Sequence, residues 1–314
     1  MPEYKWEDLA TREGNQILQQ ALTDAEQRRI LARSLTEPFV LMRDYKGVGR
    51  KILAAGTVDA GEIPYIDKDP EFTATVIAEN SLIPRQVVET TRVILPLNSF
   101  AVKIVVSFKD AATVSWNKLD FEKNRAAAKL AEIEDYYIFK ALCAAASGAG
   151  NLVDSSGNEI TGALSKSALL ANLIAQTQQY GEITQSIVVS PYLYTALLTW
   201  GREDFDPVTQ REVLQSGIVG KLFNATVYVS KLLSATPPGY TTIYTTEEST
   251  NCHLAFSLPD PMLVGAVLTR GNAEIIEDPT EIPNLSYAWV GYEFAGIGVA
   301  YNENVAAMSY AITS

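Results

Sequence analysis

Residues 118–146 read KLDFEKNRAAAKLAEIEDYYIFKALCAAA. Leu119, Ala126, Leu130, Ile133, Tyr137 and Ala141 recur at steps of three, four and seven, which places them along one side of an α-helix. At about 1.5 Å of rise per residue, some 28 residues make a rod of roughly 40 Å, longer than an ordinary globular helix. Gly148-Ala-Gly150 terminates it. A helix of this length serves as a backbone across which flatter elements are laid.

Just upstream, residues 87–108 hold Val87, Val88, Val93, Ile94, Leu95, Leu97, Phe100, Val102, Ile104, Val105, Val106 and Phe108. The spacing predicts two dense core strands broken near Pro96 to Ser99. Before them, from Asp44 to Asn80, Gly47, Gly49, Gly56, Gly61, Pro64 and Pro70 punctuate short β-prone pieces such as Phe72–Ile77. Small or polar residues fall on both faces of these pieces, as in an exposed two-stranded arm. Gly47-Val-Gly49 lacks the third glycine of a dinucleotide fingerprint and reads as a hinge into that arm. Earlier still, Thr23-Asp24-Ala25-Glu26 matches a capping box, with Thr23 as N-cap. Ile30, Leu31 and Leu35 give the helix that follows a narrow apolar stripe, and Pro38 is expected to stop it. So thin a stripe, with Arg28, Arg29 and Arg33 around it, needs a surface to lie on, either its own domain or a neighbouring chain.

Downstream the pattern is mixed. Ser165–Tyr180, Pro191–Trp200 and Gln210–Gln215 read as helices, the second with proline in its first turn. Ser186–Ser190, Thr226–Val229, Thr241–Tyr244 and Leu254–Phe256 read as strands. Closing strands follow at Leu263–Thr269, Ala273–Glu277, Tyr287–Glu293, Gly296–Tyr301 and Ala306–Ile312. No fixed-period repeat is visible.

Composition narrows the function. The 314 residues are 47% hydrophobic and 20% charged, the balance of an ordered globular protein. Lys and Arg number 25 against 37 Asp and Glu, a net charge of -12 that argues against a general grip on phosphates. Two cysteines, Cys143 and Cys252, are too few for a structural zinc site or a disulfide scaffold. The first ten residues lack the basic and apolar regions of a signal peptide, and no apolar run is long enough to span a bilayer; a soluble, cytoplasmically made protein is expected.

No catalytic constellation emerges. Gly217-Ile-Val-Gly220-Lys221 has two residues between its glycines where a phosphate loop needs four, and Leu222 where it needs Ser or Thr. His253 is the sole histidine and has no evident nucleophile and carboxylate around it. Glu132, Glu134 and Asp135 spread around the long helix and read as solvated or intersubunit charges. Tyr287, Trp289, Tyr292, Phe294 and Tyr301 lack the accompanying cations of a base-stacking platform. Catalytic, cofactor-binding and metal residues are therefore expected to be none.

Val188-Val-Ser-Pro191 followed by Tyr192, Tyr194, Ala196 and Leu197 is similar to the strand-then-helix entry to the axial domain of tailed-phage major capsid proteins. Gly217-Ile-Val-Gly220-Lys-Leu-Phe223-Asn224 and Val227-Tyr-Val-Ser230 resemble that family's loop and following strand. Asn224 stands where the motif commonly has glycine, and asparagine tolerates the same left-handed backbone. As an order of elements the resemblance covers most of residues 35–314. Encapsulin shells and the herpesvirus capsid floor share this α+β fold.

The resemblance implies an N-terminal helical arm at 1–43 and an extended hairpin arm at 44–80. It implies a peripheral domain from 81–150 and 262–314, with spine helix 118–146, and an axial domain at 151–261. It implies self-assembly into hexamers and pentamers of an icosahedral shell enclosing double-stranded DNA, with the virion capsid, assembled in host cytoplasm, as its location. No enzyme, no cofactor and no membrane partner are expected; separate scaffolding, portal and decoration proteins are partners the resemblance allows. With only about 40 residues ahead of the arm, assembly is expected to use a separate scaffolding protein or none. Some relatives crosslink an arm lysine to a neighbour's asparagine, for which Lys68 and Asn284 are the intersubunit candidates. Two other classes stay open: an encapsulin-like compartment around cargo enzyme, and a soluble α/β enzyme.

Overall fold

The structure, a computed structural model, describes residues 22, 24–59, 61–68, 91–111, 116–154, 169, 183–198, 220–244, 252–271 and 273–311. Its elements begin with helix α1 (Ala25–Lys46), the single turn α2 (Gly49–Ile52), and strands β1 (Ala54–Val58), β2 (Tyr65–Lys68), β3 (Thr91–Ile94) and β4 (Leu97–Ser107). The long helix α3 (Trp116–Gly148) follows, then β5 (Leu152–Asp154), β6 (Ser186–Val189), α4 (Pro191–Leu198), β7 (Lys221–Leu222) and β8 (Ala225–Val229). The chain closes through β9 (Cys252–Leu258), β10 (Gly265–Arg270), β11 (Glu274–Asp278), β12 (Ser286–Val299) and β13 (Ala306–Ala311).

Two sheets flank α3. In the first, the 14-residue β12 is the axis. Strand β4 runs antiparallel along one of its edges from Ser286↔Ser107 to Gly296↔Leu97, while β11 and β10 share the other edge in succession, with β1 parallel outside β10. Alternation decides the faces: Phe100, Ile104, Trp289 and Ala295 are buried against α1 and α3, whereas Val105 and Phe294 point outward and stay exposed. The second sheet has strand order β5-β13-β9-β6-β8-β7. Strands β6 and β9 are buried at every position, which explains their unbroken apolar character. One of this sheet's faces joins the main core, where Phe256 stacks on Phe139 of α3; the other buries Ile187 and Val189 against Leu193 and Leu197 of α4.

Helix α3 spans 33 residues and ends as the sequence predicts, with Gly150 at φ 75°. Its buried side is wider than the expected stripe. Leu119, Ala126 and Leu130 are buried, but Tyr137 is exposed, and Ala127, Ile138, Phe139, Leu142 and Ala146 are buried in its place, because the helix lies between sheets rather than on one.

Helix α1 departs from expectation at both ends. Its N-cap is Asp24, not Thr23, accepting from the Glu26 N–H at 3.0 Å. It also runs through Pro38 to Lys46 instead of stopping. Of the two surfaces offered, it lies on its own body: Leu31, Leu35 and Phe39 are buried in the main core.

Several strands are drawn differently too. Residues 91–94 are not core but form a two-stranded ribbon with β2, so the extended arm pairs Tyr65–Lys68 with Thr91–Ile94, and the break falls at Pro96. Residues 44–58, read as arm, belong to the body through α1, α2 and β1. The strands expected at Tyr287–Glu293 and Gly296–Tyr301 are one continuous strand, and Thr241–Tyr244 is not a strand. Strand β13 joins the six-stranded sheet beside β9 and β5, not the sheet of the other closing strands. Between β7 and β8, Phe223 and Asn224 both have positive φ, the two-residue hairpin turn that an asparagine permits. Residues 1–21, Phe72–Ile77, Gly217 and the helices read at Ser165–Tyr180 and Gln210–Gln215 lie outside the described residues, apart from Leu169, which is helical and buried.

Candidate assembly surfaces

The junction between α1 and α2 is clamped to the body by buried charge. Arg43 Nη1 lies 2.5 Å from Glu293 Oε2, and Arg50 Nη2 bonds the other Glu293 oxygen. Arg50 Nε also reaches Glu134 at 3.0 Å. The N–H groups of Val48 and Gly49 donate to the Asp135 carboxylate at 2.9 and 2.7 Å. Gly49 is required by close approach: a Cβ there would sit 2.2 Å from Ile138 Cδ1. Gly47-Val-Gly49 is thus a fitted contact with the spine, not a hinge. Glu134 and Asp135 are buried, intrachain partners, where solvated or intersubunit charges were expected.

Burial pushes the Glu134 carboxyl up to about 7, against the pull of Arg50, and pushes Asp135 up to about 6, against its two backbone donors. A carboxyl whose folded pKa is raised binds protons in the native state that the unfolded chain has released, so its contribution to stability is full below about pH 4 and lost as pH rises through 6 to 7. Stability is therefore expected to fall from pH 5 to pH 8, with Glu134 contributing up to about 3 kcal/mol. His253, whose pKa burial lowers, slopes the opposite way, so comparison with Glu134→Gln isolates the carboxyl. Urea melts at pH 5, 6.5 and 8 should show a flatter profile in Glu134→Gln; identical profiles would remove Glu134 as the cause.

The arm root presents a different surface. Arg92 bonds Asp67 at 3.0 Å and lies over the Tyr65 ring, a link across the ribbon. Tyr65 pairs with Ile94 on its exposed face, where Ile63, Tyr65 and Ile94, the last 68% exposed, form an apolar strip. On the opposite face Lys68 lies 3.6 Å from Glu303 and 5.0 Å from the Tyr301 ring centre, holding the ribbon to the body. Asn284 ends the 3-10 turn Pro279–Asn284 and donates to Glu281 at 2.9 Å; Glu281 also takes Lys103 at 2.5 Å. Among the described residues Lys68 and Asn284 share no partner.

Other candidate groups serve packing. The His253 ring stacks on Tyr192 at 4.6 Å, and its Nδ1 accepts from the Ala235 N–H at 3.3 Å. Cys143 and Cys252 are buried and unbridged, and burial pushes the Cys143 thiol up to about 11. Among the described residues no three His, Cys, Asp or Glu side chains gather to hold a metal ion, and no helix is long and apolar enough to cross a membrane. Sequence reasoning missed Arg43, Arg50 and Glu293, which lie far apart in the chain and carry no local motif.

No family model matches the chain. No curated protein matches it either. Solved structures do. The mature capsid of bacteriophage PhiM1 superposes with a TM-score of 0.57 at 14% identity, covering 83% of this chain and 86% of that one. The capsid of cyanophage P-SCSP1u gives 0.58 at 13% identity, covering 84% and 87%. A virus-like particle from Pyrococcus furiosus gives 0.50 at 14% identity, covering 87% and 97%.

Proposed function

We propose that this chain, which has the α+β fold of tailed-phage major capsid proteins, is a non-enzymatic shell subunit that assembles into hexamers and pentamers around double-stranded DNA. The observation that carries the reading is the extent of the shared fold, which takes in most of both chains and not one common domain. The arm gives it a physical basis: a ribbon with an apolar strip at Ile63, Tyr65 and Ile94 gains burial when a neighbour covers it. A chain with net charge -12 neither grips nor orders the phosphates it encloses, so a genome can pack and leave.

In this reading residues 1–43 are the N-terminal arm, the ribbon of β2 and β3 is the extended arm, 95–150 and 262–305 supply the peripheral domain, and 151–261 supply the axial domain, which takes in β13. The subunit resides in the virion capsid after assembly in the host cytoplasm, with scaffolding, portal and decoration proteins as further partners. Lys68 and Asn284 are intersubunit contacts. A covalent link between them would replace the Asn284 amide nitrogen with Lys68 Nζ and release one ammonia, which intact mass of assembled material detects.

The protein expressed alone is expected to give closed shells, or rings of five or six subunits, by electron microscopy and size-exclusion chromatography. A compact monomer or dimer at high concentration would overturn the reading. The fold is shared with a virus-like particle from Pyrococcus furiosus as well, and the second reading is a shell around protein cargo; purified shells that carry an enzyme and no nucleic acid would select it.

A further inference from the structure

The turn that feeds β12 holds a bulky residue in a strained conformation. Leu285 follows the 3-10 turn in the left-handed region, at φ 54° and ψ 43°. Its N–H donates to the Glu281 and Ile282 carbonyls, and its own carbonyl accepts from the Phe108 N–H at 2.8 Å, so the backbone is fixed from both sides. Glycine or asparagine is the ordinary occupant of such a position. The Leu285 side chain is nevertheless 66% exposed, with Ile282 beside it exposed at 38%. An apolar side chain so placed gains little from its own subunit, and strain kept without internal reward marks a functional position. The knob is flanked by Asp278 and Glu281, which share the single cation Lys103 at 2.8 and 2.5 Å and leave one negative charge over.

The other end of the same sheet carries an open, partly apolar hollow. The lining of this 530 Å³ space includes Val58, Asp59, Leu97, Arg270 and Phe294. Leu97 pairs with Gly296 and Phe294 with Ser99, at the far end of β12 from Ser286 and the knob. Arg270 makes no ion pair among the described residues, although Asp59 shares the lining, so this end offers a guanidinium that can turn to an incoming carboxylate beside apolar walls. Knob and cavity on opposite ends of one rigid sheet form a head-to-tail contact, the kind that closes into rings when the rotation per subunit permits.

We infer that Leu285 and Ile282 of one copy seat in the Val58, Leu97 and Phe294 cavity of a second copy, with Arg270 facing Glu281. The inference rests on the shell reading. Leu285→Asn relieves the backbone and removes the knob, so it separates stability from assembly. Unassembled Leu285→Asn subunits are expected to melt at the parent temperature or about 2 °C above it, while shell yield by electron microscopy falls roughly tenfold or more. Glu281→Arg and Arg270→Glu should each lower the yield, and the two together should restore it. Parent shells alongside undiminished Leu285→Asn shells would overturn the knob and leave the shell reading intact. Charge variants without effect, or not rescued in combination, would overturn the Arg270 to Glu281 pairing. A parent that never assembles would overturn the shell reading and this contact with it.

Discussion

Glu293→Ala is expected to lower the unfolding free energy by about 3–5 kcal/mol, the range for removing one partner of a buried charge cluster. Glu293 is 2% exposed and accepts from both Arg43 of α1 and Arg50 of α2. Its removal takes from Arg43 a carboxylate in an interior where its side chain is only 5% exposed, and takes from Arg50 one carboxylate while Glu134 stays in reach. The cost is the desolvation of buried guanidinium groups that have lost a carboxylate, more than the loss of an attractive contact as such. Glu293→Gln keeps the shape and removes the charge, and is expected to fall between the two. Urea denaturation of unassembled subunits measures both; a change under 1 kcal/mol for Glu293→Ala would show that water or the second carboxylate takes over its role.

Phe39→Ala is expected to cost a similar amount, about 3–5 kcal/mol. The ring is fully buried, and it presses on β12 at Gly291, where an added Cβ would lie 2.8 Å from Cζ. Gly291 is therefore the socket and Phe39 the plug, which fixes α1 across the sheet one turn before Arg43 reaches Glu293. The same geometry predicts that Gly291→Ala alone destabilises by overpacking and that Phe39→Leu combined with Gly291→Ala recovers part of the loss. The same denaturation series reads these variants, and a loss below about 1.5 kcal/mol for Phe39→Ala would mean that the helix collapses into the vacated space.

The fold was legible because its order of elements depends on features that local sequence controls. The long helix, the strand leading into Pro191, and the asparagine turn at Asn224 all follow from period, proline placement and backbone preference. What local reading missed was decided by contacts distant in sequence. Pro38 lacks the N–H of an ordinary helix residue, yet the helix continues because Phe39 and Arg43 beyond it are anchored in the core and on Glu293. Gly47-Val-Gly49 looks like a hinge until Asp135, some ninety residues on, takes its N–H groups. The run from 287 to 301 looks divided at Phe294–Gly296, but β4 pairs straight across that point and holds the strand together. Of the surfaces proposed for assembly, the arm was legible as an extended segment. The knob at Leu285 was not, since a leucine in a left-handed turn gives no signal in composition or periodicity.

Strand β13 sits inside the six-stranded sheet, between β5 and β9. Translation delivers β5, β6, β8 and β9 long before residues 306–311 emerge from the ribosome, so until then β5 lacks its partner among the described strands and β9 keeps an open edge. Until β13 docks, this half of the subunit stays open along β9, and a chain cut before residue 306 would keep that edge as a template for pairing with another chain.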